Sequence, residues 1–205
     1  MVKSAQVKTI DFFFDYGSPN AYMADKVLPQ ICERTGATVN AIPVLLGGIF
    51  KATGNQAPMV AFAGVPSKLN YEMLEMRRFI ARYHLQKFQF NPHFPVTTLL
   101  AMRGATSARH HGVAAHYDEV MFTAMWERGL KMDDAQVFEE VLRETGLPVE
   151  AIMHDAHSPA IKAELVANTE DAVARGVFGI PTFMVGTEMF FGKDRLGQVE
   201  DALEE

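Results

Sequence analysis

The chain has a single cysteine, and this scarcity excludes several kinds of chemistry. Cys32 is the sole cysteine among 205 residues. The chain can therefore form neither an internal disulfide nor a Cys-x-x-Cys redox pair. Cys32 falls inside the first predicted helix, where we interpret it as a small buried residue and not as a reactive thiol. A protein disulfide oxidoreductase is thus disfavoured.

Long apolar runs and an excess of positive charge are also missing. No run of about 18 apolar residues exists, so no membrane-spanning helix is expected. The formal net charge of −6 argues against a general nucleic-acid or anionic-membrane surface. The first eight residues precede a strand and not the apolar region of a signal peptide, so we expect a cytoplasmic protein. The seven histidines show no metal-ligand spacing, and no metal site is predicted.

The stretch around Ser18 combines a predicted strand, a turn and a helix start. Residues 9–14 are short, apolar and rich in β-formers, which predicts a buried strand. Residues 15–17 supply turn chemistry, and Pro19 suits the first position of a helix. Ser18 then falls at the N-cap, where the helix end carries partial positive charge. Local pattern alone leaves two roles open for Ser18, a capping serine or a group that takes part in chemistry.

The elements on either side of Ser18 predict a parallel β-α-β unit. A helix is expected over residues 19–34, with Gly36 as its C-cap. Pro29 inside that helix predicts a kink or a break. Residues 38–44 form the next predicted strand, so the two strands should be parallel and joined by a right-handed crossover.

Helical periodicity dominates the middle of the chain. Residues 46–58 are rich in glycine and predict a loop or a short irregular helix. A helix over residues 67–85 should turn one apolar face inward, formed by Leu69, Met73, Met76, Ile80 and Tyr83. Residues 88–95 form an aromatic loop, and further helices follow as far as Gly176.

The last thirty residues return to strands. Residues 182–185 and 188–191 predict a β-hairpin around Gly186-Thr187, and a helix is expected over 194–203. The predicted fold is α/β, a thioredoxin-like four-stranded sheet interrupted by a large all-helical insertion. In that architecture the Ile180-Pro181 bond is cis. We assign residues 1–48 and 168–205 to the thioredoxin-like domain and residues 49–167 to the helical insertion.

Several short motifs occur in order along nearly the whole chain, among them Phe-Asp-Tyr-Gly-Ser-Pro at 14–19 and Phe-Gly-Ile-Pro-Thr at 178–182. With them the chain resembles the 2-hydroxychromene-2-carboxylate isomerases. These group with kappa-class glutathione transferases and the DsbA-like branch of the thioredoxin superfamily. The other segments that carry the resemblance are Tyr22 and residues 47–55, 91–95, 101–105, 124–126 and 191–196.

The resemblance implies a glutathione site and a homodimer. Ser18 matches the serine that contacts the glutathione sulfur, and Ile180 before the cis-proline Pro181 matches the residue whose backbone pairs with the tripeptide. Asn55 matches a glutathione-contacting asparagine. Lys193 and Asp194 match the pair at the γ-glutamyl end, although position 193 is often Asn in the isomerases.

The implied function is glutathione-dependent isomerisation of a small aromatic carboxylate. The pair of compounds is 2-hydroxychromene-2-carboxylate and trans-o-hydroxybenzylidenepyruvate, or a related intermediate of aromatic catabolism such as naphthalene degradation. Candidate substrate-binding residues are Lys51 for the carboxylate and Phe90, Phe94 and Trp126 for the ring. A solvated Lys51 and a Trp126 that only packs in the core are the competing interpretations.

Three other functions are alternatives to the isomerase function. A kappa-like glutathione transferase or peroxidase would share the thiol site, and a non-catalytic binder of glutathione or thiol-containing peptides would share only its binding groups. A Ser-His-Asp hydrolase is disfavoured, because Gly17-Ser18-Pro19 is not a Gly-x-Ser-x-Gly elbow and Pro19 lacks the N–H used in that oxyanion hole.

Overall fold

A four-stranded mixed sheet forms the centre of the computed structural model, which describes residues 8–204. The strands are β1 (Thr9–Phe14), β2 (Thr38–Pro43), β3 (Thr182–Val185) and β4 (Glu188–Phe191). Their order in the sheet is β2-β1-β3-β4. β1 is parallel to β2 and antiparallel to β3, and β3 and β4 form the hairpin. The predicted α/β fold with one thioredoxin-like sheet is confirmed.

Helices make up most of the remaining chain. Their bounds are α1 (Pro19–Thr35), α2 (Leu46–Thr53), α3 (Pro58–Ala61), α4 (Pro66–Arg82), α5 (Leu99–His110), α6 (Ala114–Trp126), α7 (Ala135–Glu144), α8 (Val149–Ala156), α9 (Pro159–Ala174) and α10 (Leu196–Glu204). A single 3₁₀ turn, Lys193–Arg195, precedes α10.

β1 lies inside the sheet because its aromatic side chains are buried on both of its faces. Phe12, Phe13 and Phe14 are at most 1% exposed. The ring of Phe12 stacks on Phe183 of β3 at 5.4 Å between centroids. Phe13 points to the opposite face, where the Arg175 guanidinium lies 5.0 Å from its ring. A strand covered on both faces is expected to be apolar, and the second half of β1 fits, while Thr9 and Asp11 in its first half are less buried. The carboxyl end of β1 therefore enters the Ser18 turn from a rigid core.

The first helix follows its predicted bounds closely, but it does not break at proline. Gly36 ends α1 in the left-handed conformation at φ 70°, and its N–H donates to the Cys32 carbonyl. The helix continues through Pro29, so the predicted break is wrong. Pro29 lies on the exposed side, and burial of Leu28 and Ile31 holds the helix together across it.

The segment after β2 is more helical than predicted, and α4 is less buried. Residues 46–58 contain all of α2 and the start of α3. In α4 only Phe79 is buried, and Met73 on the predicted inward face is 43% exposed. A helical period identifies residues that share a face, but it does not show that another element covers that face.

Both predicted domain boundaries fall inside helices. The boundary after residue 48 cuts α2, and the boundary before residue 168 cuts α9. These helices are joined where the Leu45 N–H donates to Thr169 Oγ1 at 3.0 Å. The division into two units remains a prediction, but its limits cannot lie at these residues without interrupting regular helix.

Candidate active site

Ser18 lies where the end of β1, the start of α1 and the proline loop before β3 meet. Its hydroxyl oxygen accepts a hydrogen bond from the Ala21 N–H at 3.2 Å, which confirms the predicted N-cap. The hydroxyl also donates to the Ile180 carbonyl at a long 3.4 Å. The Ile180–Pro181 bond is cis, as predicted. The serine hydroxyl and the backbone before the cis-proline thus face each other.

The start of α1 gives this site a positive electrostatic character. α1 has 17 residues and no acidic residue in its first turn. Partial positive charge at a helix N-terminus favours a nearby anion by roughly 0.3–2 kcal/mol. Ser18 is 5% exposed, so an anion beside its hydroxyl would be largely shielded from bulk water. The arrangement suits a sulfur atom held as thiolate.

The proline loop connects the Ser18 region to the start of the last helix. Thr182 Oγ1 donates to the Gly179 carbonyl at 2.8 Å, which closes the loop around the cis bond. The Gly192 N–H donates to the Pro181 carbonyl at 2.9 Å. Since Lys193 and Asp194 follow directly, both candidate residues are anchored to the same loop as Ile180.

Lys193 and Asp194 form a polar pair beside a small cavity. The Lys193 Nζ donates to both carboxylate oxygens of Asp194, at 2.9 and 3.1 Å. The ammonium lies 5.1 Å from the centre of the Phe79 ring, and Lys193 is only 5% exposed. A cavity of about 260 Å³ is lined by this pair and by Phe79, Arg82, Tyr83, Leu196 and Gly197. A group carrying both an ammonium and a carboxylate could pair with the carboxylate and the ammonium found here.

Asn55 and Lys51 lie at the end of α2, and only Asn55 is tied to the proline loop. The Asn55 Nδ2 donates to the Phe178 carbonyl at 2.7 Å. Gly54 makes the turn between α2 and Asn55 at φ 70°. Lys51 is exposed on the last turn of α2. The structure therefore places Asn55 next to the Ile180 segment and leaves Lys51 at the surface.

The three candidate aromatic residues form one cluster with unequal exposure. The Phe90 ring is 5.1 Å from Phe94 and 5.9 Å from Trp126 between centroids. Trp126 is fully buried, and its Nε1–H donates to the Tyr16 carbonyl at 2.7 Å. Phe90 is 41% exposed. Trp126 packs in the core, as the competing interpretation proposed, and supports the turn before Ser18 from behind.

Two buried polar networks near Ser18 were not predicted from the sequence. The Asp15 carboxylate accepts hydrogen bonds from Gly17, Leu46 and Thr98. The adjacent Tyr16 hydroxyl begins the second network, in which it donates to the Asp118 carboxylate on α6.

A guanidinium completes the second network. Arg109 donates to both oxygens of Asp118 and to the Ala41 carbonyl on the free edge of β2. Burial raises the pKa of Asp118, and Arg109 opposes that rise. The sequence identifies Asp15 and Tyr16 as turn residues, but most of their hydrogen-bond partners are remote in the chain.

Neither a membrane span nor a metal cluster is found in the part of the chain that the structure describes. Over residues 8–204, no helix combines the length and apolar character needed to cross a bilayer. Across the same residues, no three histidine, cysteine, aspartate or glutamate side chains come together as a metal site requires.

Cys32 is half-buried, and burial raises the pKa of its thiol.

Comparison with known proteins assigns this architecture to a family. The family model described as a DSBA-like thioredoxin domain matches residues 9–204. The chain belongs to this family. A 2-hydroxychromene-2-carboxylate isomerase from Sphingobium xenophagum is 30% identical over 200 residues, covering 96% of this chain and 98% of that protein.

Two further similar proteins are a solved structure and a transferase. A solved structure of 2-hydroxychromene-2-carboxylate isomerase superposes with a TM-score of 0.82 at 28% identity, covering 96% of this chain and 94% of that one. Glutathione S-transferase kappa 1 from Caenorhabditis elegans is 26% identical, covering 96% of this chain and 91% of that protein. The chain thus resembles both isomerases and kappa-class transferases along its full length, and the resemblance to the isomerase extends to three-dimensional structure.

Proposed function

We propose that the protein is a glutathione-dependent isomerase that interconverts 2-hydroxychromene-2-carboxylate and trans-o-hydroxybenzylidenepyruvate, or a closely related pair of aromatic carboxylates. One observation carries the proposal. The Ser18 hydroxyl lies at the positive end of α1, opposite the carbonyl before cis-Pro181, in a chain that matches isomerase relatives over its full length. A sulfur atom of another molecule could bind at this position and accept a hydrogen bond from the Ser18 hydroxyl.

The residues around Ser18 fit glutathione as the source of that sulfur. The Ile180 backbone flanks the Ser18 hydroxyl and would pair with the cysteinyl part of the tripeptide. The Lys193–Asp194 pair would exchange its internal ion pair for the α-carboxylate and ammonium of the γ-glutamyl group. Asn55, already bonded to the Phe178 carbonyl, would contact the tripeptide from the α2 side. The cysteinyl and γ-glutamyl parts of the tripeptide therefore each have a chemically matched partner.

Ser18 would act as a hydrogen-bond donor and not as the nucleophile. When bound, glutathione supplies a thiolate that can add reversibly to a conjugated C=C bond, so that the bond can rotate. A free thiol has a pKa of about 8.5. The Ser18 O–H and the α1 terminus both favour the charged form of sulfur, and both would lower that pKa.

The aromatic loop would supply the surface for the substrate ring. Phe90 exposes much of its ring and is held by Phe94 and the buried Trp126. A flat aromatic substrate can pack on such a ring edge or face. Lys51 would meet the substrate carboxylate as an exposed cation, with Asn55 nearby on the same segment.

A kappa-like glutathione transferase is the second candidate function. Kappa-class relatives match the chain over most of their length. A transferase would use the same thiol site, but it would release a glutathione conjugate. An isomerase returns glutathione unchanged.

The proposal is tested by mixing the protein with 2-hydroxychromene-2-carboxylate in the presence and absence of glutathione. We expect glutathione to accelerate the approach to equilibrium, followed by absorbance. S-Methylglutathione, which has no free thiol, should bind without supporting the reaction. If glutathione gives no acceleration and a generic electrophile is conjugated instead, the transferase is the better assignment.

A further inference from the structure

The Asp15 carboxylate is buried three residues before Ser18 and has partners in three separate parts of the chain. Asp15 is 3% exposed. Its Oδ1 accepts from the Gly17 N–H at 2.9 Å and from Thr98 Oγ1 at 2.6 Å. Its Oδ2 accepts from the Leu46 N–H at 2.9 Å. The three donors come from the Ser18 turn, the start of α2 and the residue before α5.

Each of these three segments carries part of the proposed site. The turn leads to Ser18, whose own N–H donates to the Asp15 carbonyl at 3.1 Å. α2 begins at Leu46 and leads to Asn55. Thr98 follows the aromatic loop that contains Phe90. One carboxylate therefore joins the sulfur position, the Asn55 segment and the proposed substrate wall.

A turn residue that only shapes its own loop would not need this arrangement. The bond to Gly17, two residues on, is the usual turn contact of an aspartate. The bonds to Leu46 and Thr98 span 31 and 83 residues. Burial raises the pKa of Asp15, and the three donors oppose that rise. Burying a carboxylate is unfavourable unless its hydrogen bonds are made, so all three contacts matter to the turn.

We propose that Asp15 is a positioning residue, which fixes the Ser18 hydroxyl relative to Asn55 and the aromatic loop. The inference rests on the proposed function, since the parts that it aligns are those of the glutathione and substrate sites. Displacing a reacting group by about 1 Å can reduce a rate by about 100-fold. Asp15 would act through Ser18 and would not touch substrate itself.

Asp15→Asn is the direct variant, because it keeps the shape and removes one acceptor. Gly17 and Leu46 donate to different oxygens, so an NH₂ group faces a backbone N–H whichever way the amide is turned. Thr98→Val removes only the hydroxyl donor. Thr169→Val is the matched control, since Thr169 Oγ1 holds the neighbouring Leu45 N–H without contacting Asp15.

We expect Asp15→Asn to lower kcat/KM by about 10- to 100-fold, with a smaller loss for Thr98→Val. Thr169→Val should change it by less than about 3-fold. In a Ser18→Ala background, Asp15→Asn should lower kcat/KM by less than about a further 3-fold. The effects of two residues that act as one unit are not additive. Equal losses in both backgrounds would indicate a separate structural effect and would overturn the proposal.

A second measurement keeps this inference distinct from the proposed function. If the wild-type protein shows no glutathione-dependent isomerisation, the proposed function fails, and hydrogen exchange of the ligand-free protein still tests Asp15. Asp15→Asn should then speed amide exchange at both Ser18 and Asn55, whereas Thr169→Val should not. Unchanged exchange at Ser18 and Asn55 in Asp15→Asn would show that the carboxylate does not align them.

Discussion

At the scale of single residues, Ser18 shows how one side chain can serve both fold and chemistry. Its oxygen accepts the Ala21 N–H and so caps α1. Its O–H bonds the Ile180 carbonyl at 3.4 Å, a long contact that a sulfur acceptor could replace. The positive end of the helix supports both roles, because it favours the cap and the thiolate alike.

Ser18→Ala separates the two roles when it is compared with Ser158→Ala. Ser158 precedes Pro159 and accepts from the Ile161 N–H at 3.2 Å, so it is the same cap on α9. Each variant should lose about 1 kcal/mol of unfolding free energy. Only Ser18→Ala should slow turnover, by about 10- to 100-fold, because it removes a hydrogen bond to a charged group. The acidic limb of its pH–rate profile should also move to higher pH, since the thiol pKa rises. Equal turnover in the two variants would show that Ser18 only caps its helix.

At the scale of elements, Asp25 on α1 is influenced by carboxylates of α6. Burial raises the pKa of Asp25 on α1 to about 7, and the neighbouring Asp118 and Glu119 on α6 add to the rise, while Lys26 opposes it. The folded state therefore holds the Asp25 proton more tightly than the unfolded state does. Stability should fall as pH rises from about 4, the unfolded pKa, to about 7.

Asp25→Asn should remove this part of the pH dependence. The variant and the wild type should differ least near pH 4, and the variant should gain relative stability up to about pH 7. Chemical denaturation followed by circular dichroism at several pH values measures the effect. Asp201→Asn, which changes an exposed aspartate on α10, is the control and should leave the slope unaltered. A parallel pH dependence of wild type and Asp25→Asn would contradict the assignment.

The α5–α6 contact depends on a glycine that brings the two helices together. A Cβ at Gly104 would lie 2.1 Å from the Tyr117 hydroxyl oxygen, which itself donates to the Ala101 carbonyl. Gly104→Ala should therefore lower the unfolding free energy by about 1–3 kcal/mol. Gly47→Ala in α2, where a Cβ meets nothing within 4 Å, should raise it by about 0.5–1 kcal/mol. A stabilised Gly104→Ala would contradict the packing described here.

Local chemistry made most of these elements predictable. The run of β-formers in β1, the two-residue turn of the hairpin and the serine-proline start of α1 each determine structure over a few residues, and all are observed. The Pro29 break was wrong because tertiary burial outweighed one lost backbone bond. The predicted apolar face of α4 is covered only in part: Met76 and Ile80 pack against the core, whereas Met73 is exposed. A helical period cannot report which neighbours pack against such a face.

Site residues were predictable only in part for the same physical reason. Ser18, Ile180 and Lys193 sit in recognisable motifs, and the structure joins them through one loop. The Asp15 and Tyr16 networks depend on partners 31 to 102 residues away. No local spacing encodes such contacts, so they require the three-dimensional structure.

At the scale of the whole molecule, the sheet brings together segments from the two ends of the chain. β1 lies between β2 and β3, so the Ser18 turn at its end lies beside the proline loop that precedes β3. The helices between β2 and β3 contribute the aromatic loop and Thr98. In the proposed function, this junction is where the glutathione sulfur would bind, beside the Ser18 hydroxyl and the Ile180 carbonyl.

The most direct test of the central claim follows isomerisation from both directions with glutathione present in less than stoichiometric amount. The account predicts that 2-hydroxychromene-2-carboxylate and trans-o-hydroxybenzylidenepyruvate reach the same equilibrium mixture over many turnovers per glutathione. The free thiol concentration should be the same at the start and the end. Consumption of one thiol per substrate converted, or an equal rate without glutathione, would contradict a glutathione-dependent isomerase.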